Sequence, residues 1–484
     1  MNIINQYTKG LMLAVAALGI TALTSCKDEP DKYESTDGKP TIKYIRCLSS
    51  EIHNWDDDPG TQYTDGQLVN SANPGSALVI IGDNLRSVNE IWFNDQKATL
   101  NQSTITDNTL FVSVPGNVPT EVSDKIFFVT TGKDTVTYDF KVLISSPVIN
   151  SMPNEYAKNG TALKLRGNYF IDDPNVPLTI SFTGVDGSLI PAKITEIAED
   201  FMSVDIVIPE GAASGPIYAT SVYGTSKSSF WYKDTRGLLF DFDSPNGISD
   251  IVLDMHAWNG HPLTVDDGTG ISGNYWQFGK DGVTTAKGAK DEGWPNEDWC
   301  SFAYWPGNWE TPETFKVYPR LYDLVDMSDW SKMTMKFEMC IPASNPWAAG
   351  AMQIIFAPTS YVTLSGNTPD VYGDAVQGAN NIFFRCPGQS DWDGHEFFSK
   401  QNPLPRALYR PWTATGSFDT GDQWITVTLP IASSFVYSFD GSGLPFSLKE
   451  EDFASLTIFI VGGGVNGTEC NPYIMIDNIR AIPN

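Results

Sequence analysis

Basic residues, histidine and long apolar stretches of helical period are all scarce in this sequence. Its 484 residues contain 31 Lys and Arg against 58 Asp and Glu, so the formal net charge is −27. A surface this acidic repels phosphate, which argues against nucleic acids and disfavours anionic polysaccharides as ligands. The four His have no metal-ligand spacing. The missing helical pattern, together with 41 Gly and 31 Pro, predicts a chain built from β-strands.

Cysteine is also scarce. Cys26 directly follows the leader described below, and the remaining five are an odd number without a C-x-x-C pair or a zinc spacing. We expect most of them to be small buried hydrophobic residues. One disulfide stays possible, and the sequence does not assign it. The five are Cys47, Cys300, Cys340, Cys386 and Cys470.

No glycoside hydrolase motif is complete in the last 250 or so residues. Glycoside hydrolysis requires two carboxylates that flank the scissile bond. Glu450-Glu451-Asp452 contains the only Glu-x-Asp of this region, and the second Glu is missing after it. Glu297 and Glu310 are the remaining candidate acids, with a solvated or hydrogen-bonding role as the alternative. We therefore predict a protein that is not an enzyme and needs no cofactor.

Three acids raise the question of a metal. Asp241 and Asp243 near the first strand of this region, and Asp477 near its last, are oxygen ligands that suit a structural Ca²⁺. Unpaired surface carboxylates are the alternative, and we predict no metal site.

Residues 1–25 form a targeting leader. Lys9 supplies a positive charge and Leu11–Leu23 an apolar run too short for a permanent transmembrane helix. The run ends in Leu23-Thr24-Ser25-Cys26, which resembles a bacterial lipobox and implies that Cys26 carries a lipid. An ordinary secretory signal with a chance cysteine is the alternative.

Lys27-Asp28-Glu29 is similar to the acidic export signal of lipoproteins that some Gram-negative gut bacteria place on the outer face of the outer membrane. Residues 26–39 are polar and cannot form a core, so they are predicted to be a lipidated tether. The expected location is the outer membrane, facing the exterior.

The next two hundred or so residues contain a repeat. The segment from Gly75 to Leu85 matches the segment from Gly160 to Phe170, including a second glycine at Gly82 and Gly167. Each copy opens with Pro-x-Ile, at residues 40–42 and 147–149, and Ile91-Trp92-Phe93 corresponds to Ile180-Ser181-Phe182. Short alternating strands with Gly and Pro between them predict β-sandwiches.

This pattern resembles the immunoglobulin-like IPT/TIG domain. The resemblance implies one such domain over residues 40–145 and a second over 146–232. A rigid spacer is the favoured role for the pair, and an independent ligand site is the alternative.

Residues 233–484 have a different character, because they hold eleven of the fourteen Trp. We predict a large jelly-roll-like β-sandwich, which makes the whole chain all-β with two immunoglobulin-like sandwiches before it. Its expected strands are 237–242, 333–340, 352–356, 382–386, 424–429, 456–461 and 473–480.

Aromatic residues in the loops of this region predict a sugar-binding platform. A flat ring removes the apolar face of a pyranose from water, while polar groups bind its hydroxyls. Trp330 and Trp424 are instead expected in the core, because they adjoin strands. Gln353 and Arg385, polar residues on apolar strands, either contact hydroxyls or satisfy buried polar groups. The predicted platform residues are Trp347, Trp309, Trp305, Tyr361, Trp392 and Trp412.

The lipobox, the acidic tag, the tandem domains and the Trp-rich end together resemble the surface glycan-binding lipoproteins of Sus-like uptake systems. The resemblance implies non-catalytic binding of a neutral polysaccharide, a β-glucan such as xyloglucan, mixed-linkage or β-1,3-glucan, next to a SusC/SusD-like transporter complex. A surface glycoside hydrolase and a protein-binding adhesin are the alternatives.

Overall fold

A computed structural model describes residues 34–48, 67–243, 255–256, 264–279, 300–305, 319–359, 383, 386–388 and 402–483. Nearly all regular structure in these residues is β, so the predicted all-β architecture is confirmed. The described residues form two compact units. One holds those up to Ser146 with Ile171–Leu178 and Ser221–Gly224, and the other holds Pro147–Phe170, Thr179–Thr220 and those from Thr225 onward. The three domain boundaries expected from the sequence stay a prediction.

The first repeat is a two-sheet sandwich. One sheet has the order β2-β1-β4-β7 and the other β6-β5-β8-β9, while β3 and β10 pair in parallel. Inward residues such as Ile80, Ile91 and Phe128 come from both sheets and form one core. The strands are β1 (Thr41–Cys47), β2 (Gln67–Leu68), β3 (Ser71–Ala72), β4 (Ala77–Asp83), β5 (Val88–Phe93), β6 (Gln96–Lys97), β7 (Thr109–Ser113), β8 (Lys125–Thr130), β9 (Thr135–Asp139) and β10 (Lys141–Val142).

The second repeat has the corresponding pair of sheets, in the orders β11-β12-β16-β15 and β14-β13-β17-β18. Alternate residues of its strands are buried, as in β13, where Ile180 and Phe182 point inward. The strands are β11 (Val148–Ser151), β12 (Ala162–Asn168), β13 (Thr179–Gly184), β14 (Leu189–Pro191), β15 (Lys193–Ile197), β16 (Ser203–Val207), β17 (Ala212–Ser221) and β18 (Gly224–Tyr232).

Gly82 and Gly167 occur in both repeats for the same structural reason. Gly82 pairs with Ile42 and Gly167 with Ile149, in each case beside the strand that opens the repeat. A Cβ on Gly82 would lie 2.1 Å from the Thr41 carbonyl oxygen, and a Cβ on Gly167 would lie 1.9 Å from that of Val148. No side chain fits at either position, so glycine is required where the two strands approach.

The remaining strands form a larger sandwich. A six-stranded sheet has the order β21-β22-β29-β24-β27 with β19 paired to β29, and a five-stranded sheet has the order β20-β23-β28-β25-β26. The strands are β19 (Leu238–Phe240), β20 (Met255–His256), β21 (Thr264–Val265), β22 (Tyr275–Phe278), β23 (Ser301–Tyr304), β24 (Met333–Cys340), β25 (Ala351–Ala357), β26 (Arg406–Tyr409), β27 (Ile425–Pro430), β28 (Ser455–Val461) and β29 (Ile474–Pro483).

Two one-turn α-helices, α1 (Leu321–Leu324) and α2 (Ile431–Ser434), lie between strands of this sandwich. No helix among the residues described is long and apolar enough to cross a bilayer. Six of the seven strands expected here are present with small shifts at their ends, and β24 has the expected bounds. The seventh, 382–386, lies largely outside the described residues.

The interior of the large sandwich is built from both sheets. Met335 and Phe337 of the six-stranded sheet and Ile354 and Ile458 of the five-stranded sheet belong to one continuous core. Trp276 is fully buried there, whereas Trp330 is half-buried against it. The expectation of a core Trp424 is wrong: its ring is half-buried, lies edge-on to Tyr275 at 5.9 Å and donates from Nε1 to the Thr269 carbonyl.

The outer face of the six-stranded sheet carries a network of buried charges. The Arg480 guanidinium donates to both oxygens of Glu338 at 2.8 and 3.0 Å and to Glu155, which follows β11, at 2.9 Å. Lys336 pairs with the other oxygen of Glu155. All four charged side chains are buried, and the ring of Tyr156 lies 4.8 Å from the Arg480 guanidinium. These ion pairs tie the segment after β11 to the sheet.

Candidate functional site

The structure sorts the eight predicted glycan-binding residues into three groups. Trp305 and Gln353 lie on the outer face of the five-stranded sheet, and Trp347 and Trp412 lie in the core of the large sandwich. The other four lie outside the described residues, and their role stays a prediction: Trp309, Tyr361, Trp392 and Arg385.

The outer face of the five-stranded sheet carries its own side-chain layer, which we call the outer layer. Side chains alternate between the faces of a strand. In β28, Leu456, Ile458 and Ile460 therefore enter the core, while Phe459 and Val461 belong to the outer layer. The members of this layer are Ala303, Trp305, Gln353, Ile355, Ala357, Phe383, Leu404, Arg406, Phe439, Thr457, Phe459 and Val461.

Trp305 follows β23 directly and is held flat in the outer layer. Its indole Nε1 donates to the Thr457 hydroxyl at 2.9 Å, and its ring is stacked on Phe383, with centroids 5.9 Å apart and planes 6° from parallel. Phe383 in turn meets Phe459 edge-on at 5.7 Å. The ring is buried, so the expectation of an exposed Trp305 is wrong.

Gln353 is fully buried, and both the nitrogen and the oxygen of its side-chain amide form hydrogen bonds with neighbouring residues. Its amide nitrogen donates to the carbonyls of Phe439 and Val461, and its Oε1 accepts from Arg406 Nη1 at 2.7 Å. The sequence left two roles open for this residue, and the structure supports the second, the satisfaction of buried polar groups.

Arg406 is the residue that the sequence analysis missed. It opens β26, is 0% exposed, and its Nη2 has no hydrogen-bond partner among the described residues. Burial lowers the pKa of its guanidinium to about 9. Gln353 and Arg385 were predicted because each is a polar residue on an apolar strand. Arg406, a charged residue at the start of the strand Arg-Ala-Leu-Tyr, has the same pattern. A buried cation with an unused donor is costly, and such a group calls for an explanation.

Trp347 and Trp412 correct the prediction of exposed loop rings. Both are buried, because backbone carbonyls of one loop satisfy their indole groups: Trp347 Nε1 donates to Ala349 at 2.6 Å and Trp412 Nε1 to Gly350 at 2.9 Å. The Trp347 ring packs on Tyr409 at 6.3 Å. Turn-forming neighbours in the sequence therefore did not mean solvent exposure.

The three acids considered for calcium do not form a metal site. No group of three His, Cys, Asp or Glu side chains with metal-binding geometry occurs in the part of the chain that is described. Asp477 is buried and accepts from Ser272 Oγ at 2.9 Å, and burial raises the pKa of its carboxyl to about 8. Burial also raises the pKa of Asp243.

The five cysteines after Cys26 all lie among the described residues. Cys47, Cys300 and Cys340 are buried, as expected for small hydrophobic residues, and Cys386 and Cys470 are half-buried. Burial raises the pKa of Cys340 and of Cys470, so neither thiol is activated.

Comparison with known proteins points to one family. The family model for the "Surface glycan-binding protein B xyloglucan binding domain" matches residues 232–483. The crystal structure of the surface glycan-binding protein PbSGBP-B from Prevotella bryantii is similar at a TM-score of 0.74 and 40% identity, and the match covers 92% of this chain and 99% of that one.

A curated relative matches a smaller share of the chain. An IPT/TIG domain-containing protein of Bacteroides ovatus is 25% identical over 199 residues, which covers 39% of this chain and 36% of that protein. The chain therefore spans about a third of the length of this relative. The match agrees with the IPT/TIG resemblance of the repeats.

Proposed function

The chain belongs to the surface glycan-binding protein B family, and from this premise we propose that it captures a neutral β-glucan at the cell surface without cleaving it. The ligand class is xyloglucan, mixed-linkage or β-1,3-glucan. The observation that carries the proposal is the family match over residues 232–483. The acidic surface supports a neutral ligand, because an anionic chain would be repelled.

The location of the protein is part of the proposal. Cys26 carries the lipid that anchors the chain in the outer membrane, and Lys27-Asp28-Glu29 directs it to the exterior, beside a SusC/SusD-like transporter. Cys26→Ala should release the protein from the membrane. Asp28→Ala with Glu29→Ala should leave it anchored but protected from external protease, and unchanged protease sensitivity would contradict the export role.

The division of labour between the regions is also proposed. Residues 233–484 bind the glycan, and the repeats over 40–145 and 146–232 act mainly as a spacer. The aromatic residues of the carboxy-terminal region and the family match to the same residues support this division.

Within the carboxy-terminal region, we place the binding site at the outer layer. The unused Nη2 of Arg406 is a donor that a glycan hydroxyl would satisfy, and the stacked rings of Trp305 and Phe383 belong to the same layer. The undescribed candidates lie close in sequence to members of this layer or to its strands. Trp309 follows Trp305 by four positions, Tyr361 follows β25, and Arg385 and Trp392 lie between Phe383 and Leu404 in the chain.

Calorimetric titration of the lipid-free Cys26→Ala chain with the three glucans tests the site. Trp309→Ala or Trp392→Ala should weaken binding by about 2 kcal/mol, as expected for a hot-spot residue. Arg406→Met should weaken it too, through the lost donor. Trp424→Ala is the matched control, because it removes a half-buried Trp from the six-stranded sheet.

Two outcomes would contradict the proposal. Normal binding by Trp309→Ala, Trp392→Ala and Arg406→Met together would remove the outer layer as the site. New reducing ends released from any of the glucans by the wild-type chain would show hydrolysis and contradict non-catalytic binding. A melting curve for each variant separates loss of binding from unfolding.

A further inference from the structure

The first repeat carries an aromatic pair on the outer face of its β6-β5-β8-β9 sheet. Trp92 of β5 and Phe127 of β8 are direct cross-strand partners, and both rings are half-buried. Their neighbours Ile91 and Phe93 point to the opposite side, into the core. The pair therefore contributes a flat apolar surface to the outside of the sandwich rather than to its interior.

Two charged side chains hold fixed positions beside this pair. Glu90 accepts from Trp92 Nε1 at 3.0 Å through one oxygen and from Lys97 at 2.7 Å through the other. The Lys97 ammonium lies 5.6 Å from the centroid of the Trp92 ring. Because the two charges cancel, this part of a strongly acidic chain is locally neutral.

A hollow of about 400 Å³ adjoins the same two charges. This volume falls in the range of small-ligand sites. Its lining mixes hydrogen-bonding groups with apolar ones: Val88, Asn89, Glu90, Lys97, Thr99 and Gln102. Glu90 and Lys97 therefore contact the Trp92 ring and also line the hollow.

The second repeat lacks this arrangement at the equivalent position. Ser181 stands where the first repeat has Trp92, and its cross-strand partner is Tyr218. The fold of the repeat consequently does not require a Trp at this place, since one copy is built without it. The aromatic pair with its ion pair is a feature of the first repeat alone.

We propose that Trp92, Phe127, Glu90 and Lys97 form a second contact site for a neutral sugar chain. The ring stacks on the apolar face of one sugar unit, and the Glu90 carboxylate and Lys97 ammonium bind hydroxyls of the unit that enters the hollow. Paired charges suit an uncharged ligand better than an anion or a cation. The inference rests on the proposed glycan binding and adds to it a subsite in the region assigned to the spacer.

Fluorine NMR of the Cys26→Ala chain labelled with 5-fluorotryptophan tests the subsite directly. The resonance of Trp92 is identified by its loss in Trp92→Phe. Titration with xyloglucan, mixed-linkage and β-1,3-glucan oligosaccharides should shift it saturably with at least one of them. Trp231, a half-buried Trp of the second repeat identified through Trp231→Phe, is the matched control and should not move.

Trp92→Ala provides the binding measurement. It should weaken retention of the chain in a polysaccharide-containing gel by about tenfold, because two contacts on one glycan raise avidity through effective concentration. Its melting temperature should stay close to that of the unsubstituted chain, since the ring lies outside the core.

The outcomes separate the subsite from the proposed function. If Trp resonances of residues 233–484 move while Trp92 does not, the subsite is wrong and the proposed function stands. If Trp92 moves and no other Trp does, the subsite is supported and the carboxy-terminal location is wrong. If no resonance moves with any of the three glucans, both fail.

Discussion

The two outer faces of the large sandwich bury charge in opposite ways. On the six-stranded sheet, Arg480 and Lys336 are matched by Glu338 and Glu155. On the five-stranded sheet, Arg406 has a neutral amide, Gln353, as its side-chain hydrogen-bond partner. Each of these arginines keeps one donor without a partner among the described residues, Arg480 Nε and Arg406 Nη2. The first arrangement is what a permanent contact between protein segments requires. In the second, the Asp440 carboxylate offsets the burial of Arg406 only in part, so the pKa of the guanidinium stays lowered, which is why we assign ligand binding to that face.

Removal of Arg480 should have the largest effect on stability. Arg480→Met leaves Glu338 with no basic partner among the described residues and Glu155 with Lys336 alone, and breaking a buried ion pair on one side costs about 3–5 kcal/mol. Chemical denaturation should report a loss of this size in the free energy of unfolding.

Arg406→Met on the other face is the matched comparison. It removes a buried cation whose burial the Asp440 carboxylate offsets only in part, so we expect a smaller loss in the free energy of unfolding than for Arg480→Met. Equal losses for Arg480→Met and Arg406→Met would show that the two faces do not differ in the way described.

The second prediction concerns the core between the two sheets. Trp347→Ala should cost about 3–5 kcal/mol of folding stability, because it empties a fully buried site. Trp424→Ala should cost less, since the Trp424 ring is half-buried at the outside of the six-stranded sheet. Denaturation curves that rank the two in the reverse order would contradict the burial described for these rings.

A pH-dependent effect should appear at Asp477, the acid of the six-stranded sheet that pairs in register with Glu338. Burial raises its pKa from 3.8 to about 8 in the folded protein. A raised carboxyl pKa contributes stability that is fully present below the unfolded value and is lost as the pH rises through the folded value.

The free energy of unfolding of the wild type should therefore fall, relative to Asp477→Asn, as the pH rises from about 4 to about 8. Denaturation of both proteins at matched pH values measures this difference. A difference that does not change with pH would mean that Asp477 is ionised in the folded state.

The repeats were the most predictable part of the molecule. The recurrence of Gly82 as Gly167, each after a Pro-x-Ile, was visible as a sequence match, and the structure gives its cause: two strands approach too closely for a Cβ. Strand positions in the large sandwich were predictable for the same reason, because alternation and turn residues are properties of neighbouring positions. β24 has its expected bounds.

The platform was less predictable, because burial depends on residues that are distant in the chain. Trp347 and Trp412 have turn-forming neighbours yet are buried through carbonyls of one loop, and Trp424 lies on a strand pattern yet is half-buried. Arg406 could have been predicted from the sequence by the same criterion as Gln353 and Arg385, a polar or charged residue on an apolar strand.

The sequence by itself determined the all-β architecture, the tandem repeat and the family resemblance, because these follow from short-range periodicity, from glycine and proline positions and from motif order. Only the tertiary structure decided which face of each sheet a polar residue occupies and whether its charge is matched. Glu155 and Arg480 are 325 positions apart and meet only when their strands are assembled. Pairing of that kind depends on long-range contacts, and it separates the ion-paired charges of one face from Arg406 of the other, whose side-chain hydrogen-bond partner is the neutral Gln353.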